Sequence, residues 1–358
     1  MKVCSVELKN FRCFDTYKTN FNNSTIVIEG SNGSGKSSIL EALHYACYLR
    51  SFRTHIPQEL IKNNCDHFSI KLDVISNTDN ISHTINIGFA NKKKIVKIDG
   101  TPITSYEQLT QYYRTITLTE EDIFIIQAGP EYRRSFIDQV IMLCDSNHLS
   151  YIKKLKHIAL QRSAACASAQ TSFDTHELWA EQLWNISDLV SKSRNNALHK
   201  LQAITNELLD QFNIALTIKY QYEPRKPLYD NFSTFWSHYQ TYLHVEQRVG
   251  RTLFGAHLDD FSIELSNHSS RIYASRGQQK LICVLLKVAQ IILLEQIGKK
   301  SIFLLDDFLT DFDLMRITQL VNIIKDKTYQ QIFTCPLTKS PLHSSLKDSD
   351  FTLIELNH

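Results

Sequence analysis

Apolar and polar residues alternate from the start of the chain. Cys4, Val6 and Leu8 are interleaved with Ser5, Glu7 and Lys9, the two-residue period of a strand with one buried face. Residues 25–29 form a second expected strand, apolar on both faces. It runs into the glycine-rich stretch GSNGSGKSS and then into a segment where Ile39, Leu40, Leu43 and Cys47 fall on one side of a helix. Strand, glycine loop and helix thus follow in order. Runs at 69–75, 84–89 and 95–98 have β character, and Asp99-Gly100 after the last is a hairpin turn signal, so an antiparallel sheet is expected here.

Between Pro130 and Asp210 the period becomes helical, with helices predicted over 132–143, 149–169 and 176–209 and Pro130 in a first turn. Residues 232–249 read as one more helix, and strands return at 261–265 and around 271–274. A long amphipathic helix over 277–296 follows, then the buried strand SIFLLDD, a helix over 314–326, and strands at 331–334 and 351–355. The C-terminal third therefore alternates helix and strand as the N-terminal segment does, an α/β pattern on either side of a helical middle. No internal repeat is present, and no heptad run is sustained over many turns, which argues against a long coiled-coil arm.

Composition narrows the class. With 358 residues, 43% hydrophobic and 21% charged, the chain can bury a large core and suggests two or three domains. Only 10 glycines and 7 prolines exclude collagen-like or low-complexity character, and a mean hydropathy of −0.23 lies in the soluble range. Lys and Arg total 39 against 37 Asp and Glu, so any contact with nucleic acid must come from a local basic patch rather than from net charge. The N-terminus lacks the apolar stretch of a signal peptide, and the longest apolar run, 281–294, contains Lys287 and Gln290, so no membrane segment is expected. Eight cysteines are scattered without a CxxC pair, which argues against a zinc site and a disulfide scaffold and for reduced thiols in a cytoplasm.

Candidate chemistry begins in the glycine loop. Gly30, Ser31, Asn32, Gly33, Ser34, Gly35, Lys36 and Ser37, followed by Ser38, match G-x-x-x-x-G-K-[ST], the phosphate-binding loop, between an apolar strand and an amphipathic helix. Backbone N–H groups of such a loop converge on a β-phosphate, Lys36 can span the β- and γ-phosphates, and Ser37 can coordinate Mg²⁺. An ordinary glycine-rich turn is the bland alternative. The apolar strand 302–305 ends in Asp306 and Asp307, as expected where a buried parallel strand delivers acids to the phosphate end of a sheet. Asp306 is expected to hold Mg²⁺ through water, and Asp307 to orient or deprotonate the attacking water. Ser275, Arg276, Gly277, Gln278, Gln279 and Lys280 precede that strand at the head of the 277–296 helix. Read alone they are a serine helix cap; read with the loop and the acid strand they are a second phosphate-binding surface, of the kind that in ABC-type ATPases meets the γ-phosphate held by a partner subunit.

The chain resembles the RecF proteins of bacterial DNA replication and repair, coiled-coil-free relatives of the SMC and Rad50 ATPase heads. The resemblance rests on seven blocks in one order: LKNFRCF at 8–14, GSNGSGKSSILEAL, LRSFRT at 49–54, TEEDIFIIQAGPEYRRSFID at 119–138, GAHLDD at 255–260, ASRGQQK at 274–280 and LLDDFLTDFD at 304–313. About 245 residues separate Gly30 from Ser275, which suits a head with a short helical insertion. The resemblance implies an α/β fold: an ABC-type P-loop ATPase head, a mixed sheet with an antiparallel β subdomain, plus a helical second lobe. Residues 1–128 and 251–358 would form the two parts of the head and 129–250 the lobe. It carries Arg12 to a position near the nucleotide and the stretch Asp311 to Asp313 to the D-loop at a dimer interface. Thr334 falls at the switch position, where a polar strand end is an equal alternative.

Three blocks depart from the family pattern. Arg276 stands where Gln is usual, Leu258 where GPHRDD has Arg, and TEED at 119–122 replaces S-P-E-D, leaving the γ-phosphate sensor open, with Gln127 as one candidate. The implied activity is weak Mg²⁺-dependent ATP hydrolysis coupled to DNA binding by an ATP-dependent homodimer in recombinational repair, with RecR and RecO as partners. Basic residues cluster at Arg50 and Arg53, at Lys92, Lys93 and Lys94, at Arg133 and Arg134, and at Lys153, Lys154 and Lys156. The Lys92–Lys94 and Lys153–Lys156 groups are the expected DNA contacts, against the alternative of a solvated face. A transporter ATPase subunit, which would have a shorter gap from loop to signature, and a P-loop kinase, in which the signature helix has no role, are the rival readings.

Overall fold

The structure, a computed structural model of the chain, describes residues 1–76, 81–168, 170–211, 217–225, 229–307, 314–324, 329–336 and 351–356. These fold into two compact units, one built from 1–123 with 276–358 and one from 124–275.

The first unit holds a five-stranded sheet in the order Phe351–Leu356, Thr25–Gly30, Gln331–Pro336, Ile302–Leu305, Thr115–Leu118, every pair parallel. Ile302, Phe303, Leu304 and Leu305 are all buried, which is why that strand reads as an unbroken apolar run rather than an alternation. The helix Lys36–Tyr48 packs on this sheet, and the Tyr48 hydroxyl donates to the Thr115 carbonyl at 2.6 Å. The helix Arg276–Gln296 also packs against it. That helix is long and apolar enough to cross a bilayer, but 83% of its most apolar window is buried in the fold, so it is core.

The expected antiparallel sheet is present, with six strands in the order Phe14–Asn20, Lys2–Phe11, His67–Ile75, Ser82–Ala90, Lys93–Ile98, Thr101–Pro102. Parallel and antiparallel strands lie in separate sheets. All eight cysteines are free thiols.

The second unit carries helices Pro130–Cys144, Asn147–Ala167 and Phe173–Gln211 and a small antiparallel sheet, His268–Ser269, Asp260–Leu265, Ile218–Glu223. Because Asp260–Leu265 pairs with Ile218–Glu223, residues 251–275 cluster with the helical unit and not with the C-terminal part of the head, the place expected from sequence. The helix expected over 232–249 is interrupted by a tighter turn at Gln240–Tyr242. The strand expected around 271–274 is instead a helical turn, Ser270–Tyr273. Ser266 and Asn267, both in the left-handed region, fold the hairpin back after two residues, and the chain leaves the sheet. The unit's core stacks Trp184 on Phe235 with ring centres 4.4 Å apart, beside Trp236 and Phe254. Within it the fully buried Arg162 forks onto Glu246 at 2.7 and 2.5 Å.

Candidate nucleotide site

The strand Thr25–Gly30 delivers the glycine loop to the N-terminus of the helix Lys36–Tyr48. Gly35 caps that helix at φ 101°, and a Cβ there would lie 2.4 Å from the Phe14 ring and 2.8 Å from Cys13 Sγ, so no side chain fits. The first internal bond of the turn runs from Ile39 N–H to the Gly35 carbonyl at 3.1 Å, and the amides of Lys36, Ser37 and Ser38 that precede it are available to an anion. Lys36 is buried, its ammonium donating to the carbonyls of Gly30 at 2.9 Å and Ser31 at 3.2 Å. Ser31, Asn32 and Gly33 are exposed at the loop tip, while Ser34 is buried with its hydroxyl unmatched. Beside the loop lies a cleft of about 590 Å³, lined among others by Arg12, Asn32, Gly33, Gly35, Lys36, Ser37, Ser38, Arg53 and Asp307.

Parallel pairing sets the acid strand one strand away from the loop strand, with Gln331–Pro336 between them. Ser37 hydrogen-bonds Asp306, and Thr334 donates to Asp306 Oδ1 at 3.0 Å while accepting the Asp307 amide at 2.8 Å. Burial pushes the Asp306 carboxyl above the usual carboxylate range, aided by the charge of Asp307 and opposed by the bonds from Ser37 and Thr334 and by the charge of Arg53. Asp307 holds φ at 45°, a conformation costly for a non-glycine residue. Hydroxyl, paired carboxylates, a buried ammonium and free helix amides suit a polyphosphate with a hard divalent cation.

Sequence reasoning missed the residue that organises the cleft's other wall. Glu41, fully buried on the loop helix, accepts Arg12 Nε at 2.8 Å and Arg12 Nη2 at 2.6 Å, takes a bond from the Ser51 hydroxyl, and lies 3.9 Å from Arg53 Nη1. An acidic residue on the buried side of a helix just after a phosphate loop was the available signal. Arg53, grouped from sequence with the basic surface, lines the cleft instead.

The signature segment is exposed at Ser275, Arg276 and Gly277, half-buried at Gln278 and buried at Gln279. None of Arg276, Gly277, Gln278, Gln279 or Lys280 lines the cleft. The TEED segment instead binds the signature helix. Glu120 accepts Lys280 at 2.7 Å and lies 3.8 Å from Arg276, and Asp122 accepts Lys287 at 2.7 Å and the Thr119 amide at 2.8 Å. Gln127 is exposed at the end of a short helical turn. Residues 311–313, the expected D-loop, lie outside the described residues.

The basic groups separate by environment. Arg133 is buried and forks onto Asp260 at 2.7 and 3.0 Å, and Arg134 donates to the Asp259 carbonyl at 2.7 Å, so these two serve the interior of the helical unit. Lys92 and Lys93 sit at a hairpin tip, and Lys94 donates to the Leu49 carbonyl and lies over the Tyr45 ring. Lys153, Lys154 and Lys156 are exposed on the helix Asn147–Ala167.

A phosphate loop and an acid strand on a parallel sheet, joined to an antiparallel sheet and a signature helix, define an ABC-type P-loop ATPase head. The chain belongs to the RecF/RecN/SMC N terminal domain family, whose model matches residues 2–352. It is 28% identical over 345 residues to the DNA replication and repair protein RecF of Chloroherpeton thalassium, covering 93% of this chain and 94% of that protein. The RecF of Lachnoclostridium phytofermentans is 29% identical over 343 residues, at 94% and 92% coverage. A solved structure of the recombination mediator protein RecF-ATP in the RecFOR pathway superposes with a TM-score of 0.84 at 26% identity, covering 94% of this chain and 92% of that one. An Smc head bound to the C-winged helix domain of ScpA, at TM-score 0.55 and 14% identity, shares the fold. The resemblance to RecF carried by the seven blocks is borne out.

Proposed function

We propose that this chain is an ATP-dependent DNA-binding protein of recombinational DNA repair and replication-fork maintenance in the bacterial cytoplasm. ATP draws two copies together, and slow hydrolysis releases them. The loop amides and Lys36 hold the β- and γ-phosphates, Ser37 and Asp306 hold Mg²⁺, and Asp307 orients or deprotonates the attacking water. When bound, Mg²⁺ would neutralise the charge of the triphosphate. Ser275, Arg276, Gly277, Gln278 and Gln279 reach the γ-phosphate of the partner copy.

The observation that carries this reading is the cleft itself. The loop and the acid strand converge on it, yet residues 276–280 of the same chain contribute nothing to its lining. A second copy can complete what one chain leaves open, and binding energy at the nucleotide then becomes a closed, DNA-holding state. Relatives named for DNA replication and repair, and a structural neighbour bearing ATP in the RecFOR pathway, support this role and point to RecR and RecO as partners.

Sedimentation of the wild type, Lys36→Arg and Ser275→Arg, with and without ATP and Mg²⁺ and again with duplex DNA, tests the mechanism. ATP is expected to produce wild-type dimers, and Ser275→Arg to abolish them while leaving nucleotide binding to the single chain intact. A wild type that stays monomeric at high concentration with ATP and Mg²⁺ would refute it.

A further inference from the structure

Glu41 gathers three separate segments around one buried carboxylate. It lies on the loop helix, so it is in fixed register with Lys36. The first segment is the tip of the opening hairpin, where Arg12 sits between the strands Lys2–Phe11 and Phe14–Asn20 at φ 53°, a costly backbone for a residue with a side chain. The hairpin tip is pinned by the Arg12 amide, which donates to the Leu60 carbonyl at 2.8 Å, and by Arg12 Nη1, which donates to the Glu59 carbonyl at 2.9 Å. The second segment is the LRSFRT block. There the Ser51 hydroxyl donates to Glu41 and accepts the amides of Arg53 at 2.8 Å and Thr54 at 3.1 Å, a turn that brings the Arg53 guanidinium to within 3.9 Å of the same carboxylate. The loop helix itself is the third.

Two guanidiniums that line one cleft repel each other. A carboxylate between them offsets the repulsion: it meets the planar fork of Arg12 on two nitrogens by charge-assisted bonds and attracts Arg53 by charge alone at 3.9 Å. Arg12 and Arg53 keep other N–H groups, and both line the cleft together with Lys36. Asp307, from the acid end, lines the same cleft as Arg53.

We propose that Glu41 is a positioning residue for the nucleotide: it preorganises Arg12 and Arg53 as a paired cationic jaw that grips the triphosphate opposite Lys36. The inference rests on the nucleotide reading of the cleft and adds to it a residue and a role. Preorganisation matters because a flexible arginine must be ordered at the moment of binding, and here the ordering is done beforehand.

The test is ATP affinity of the full chain by calorimetry in four forms: wild type, Glu41→Gln, the double variant Arg12→Ala with Arg53→Ala, and the triple combination. Glu41→Gln keeps the shape and removes the charge. It is expected to weaken ATP roughly tenfold in the wild-type background, the scale of a lost charge-assisted contact, and to change affinity by less than about twofold when both arginines are already gone. An equal penalty in both backgrounds, or no penalty in the wild type, would overturn the proposal, since a purely structural carboxylate acts without the arginines. Should Glu41→Gln fail to fold by circular dichroism, Glu41→Asp keeps the charge and shortens the reach. A loss confined to the arginine-containing background then supports the role, and unchanged affinity overturns it. Lys36→Ala separates the two levels: a wild type that binds ATP through Lys36 but is indifferent to Glu41 sinks only the jaw, whereas a wild type that does not bind ATP sinks the nucleotide reading with it.

Discussion

Asp307 and Thr334 decide how the acid end of the cleft is held. Asp307 sits in the left-handed region, and its amide is anchored by the Thr334 hydroxyl, which also binds Asp306. One side chain on the neighbouring strand thus stabilises a strained turn and orients both acids. Thr334→Val keeps the volume and deletes the hydroxyl. It is expected to leave ATP affinity within about threefold while turnover falls roughly tenfold, because the acids lose their shared hydrogen-bond partner and not the phosphate loop. Single-turnover hydrolysis measured beside equilibrium binding checks this. The glycines of the loop were legible from spacing alone, since Gly35 is dictated by its own backbone and its close neighbours. Thr334 stayed one option among two, because nothing along the chain says that residue 334 lies beside residues 306 and 307.

Among the elements, the antiparallel sheet shows which patterns announce themselves. His67–Ile75 alternates exposed or half-buried with buried positions and was predicted; Phe14–Asn20 is an edge strand with no fully buried residue and was not, since an edge lacks the apolar face that periodicity detects. The blocks around 133–138 and 255–260 converge in the helical unit. Arg194 forks onto Asp138 at 2.8 Å on two nitrogens, His148 meets Asp138 at 3.0 Å, and the buried Asp259 accepts Ser191 at 2.7 Å and Tyr222. His257 lies in this region, its imidazole lowered from near 6.5 to about 4 by burial and then by the charge of Arg134. The folded state therefore holds it neutral while the unfolded chain binds a proton below about 6.5. Its contribution to stability is complete above that value and is lost as pH falls toward about 4, by no more than roughly 3 kcal/mol. Chemical denaturation across this window should show a shallower pH slope for His257→Gln than for the wild type.

For the whole molecule, function depends on pieces far apart in sequence. The first unit is closed only when 276–358 returns to 1–123, which inserts Gln331–Pro336 between the loop strand and the acid strand. On the proposed function, the exposed lysines set how the protein meets DNA. Replacing Lys153, Lys154 and Lys156 by alanine should lower duplex affinity and reduce the salt slope by up to about three, since each neutralised phosphate contributes close to one. Lys94→Ala should cost less than Lys93→Ala, because the Lys94 ammonium is already engaged by the Leu49 carbonyl and the Tyr45 ring. Binding titrations at several salt concentrations would expose a false assignment as an unchanged slope. By itself the sequence determined the phosphate loop, the acid strand, the signature helix and their order, because each is a local pattern whose backbone and burial are written in consecutive residues. Only the tertiary structure decided that Glu41 holds Arg12 and lies near Arg53, that Arg133 turns inward, and that 251–275 joins the helical unit. Those outcomes depend on which distant groups satisfy a buried charge or an unpaired strand edge, and a buried group takes its partner from space and not from the chain.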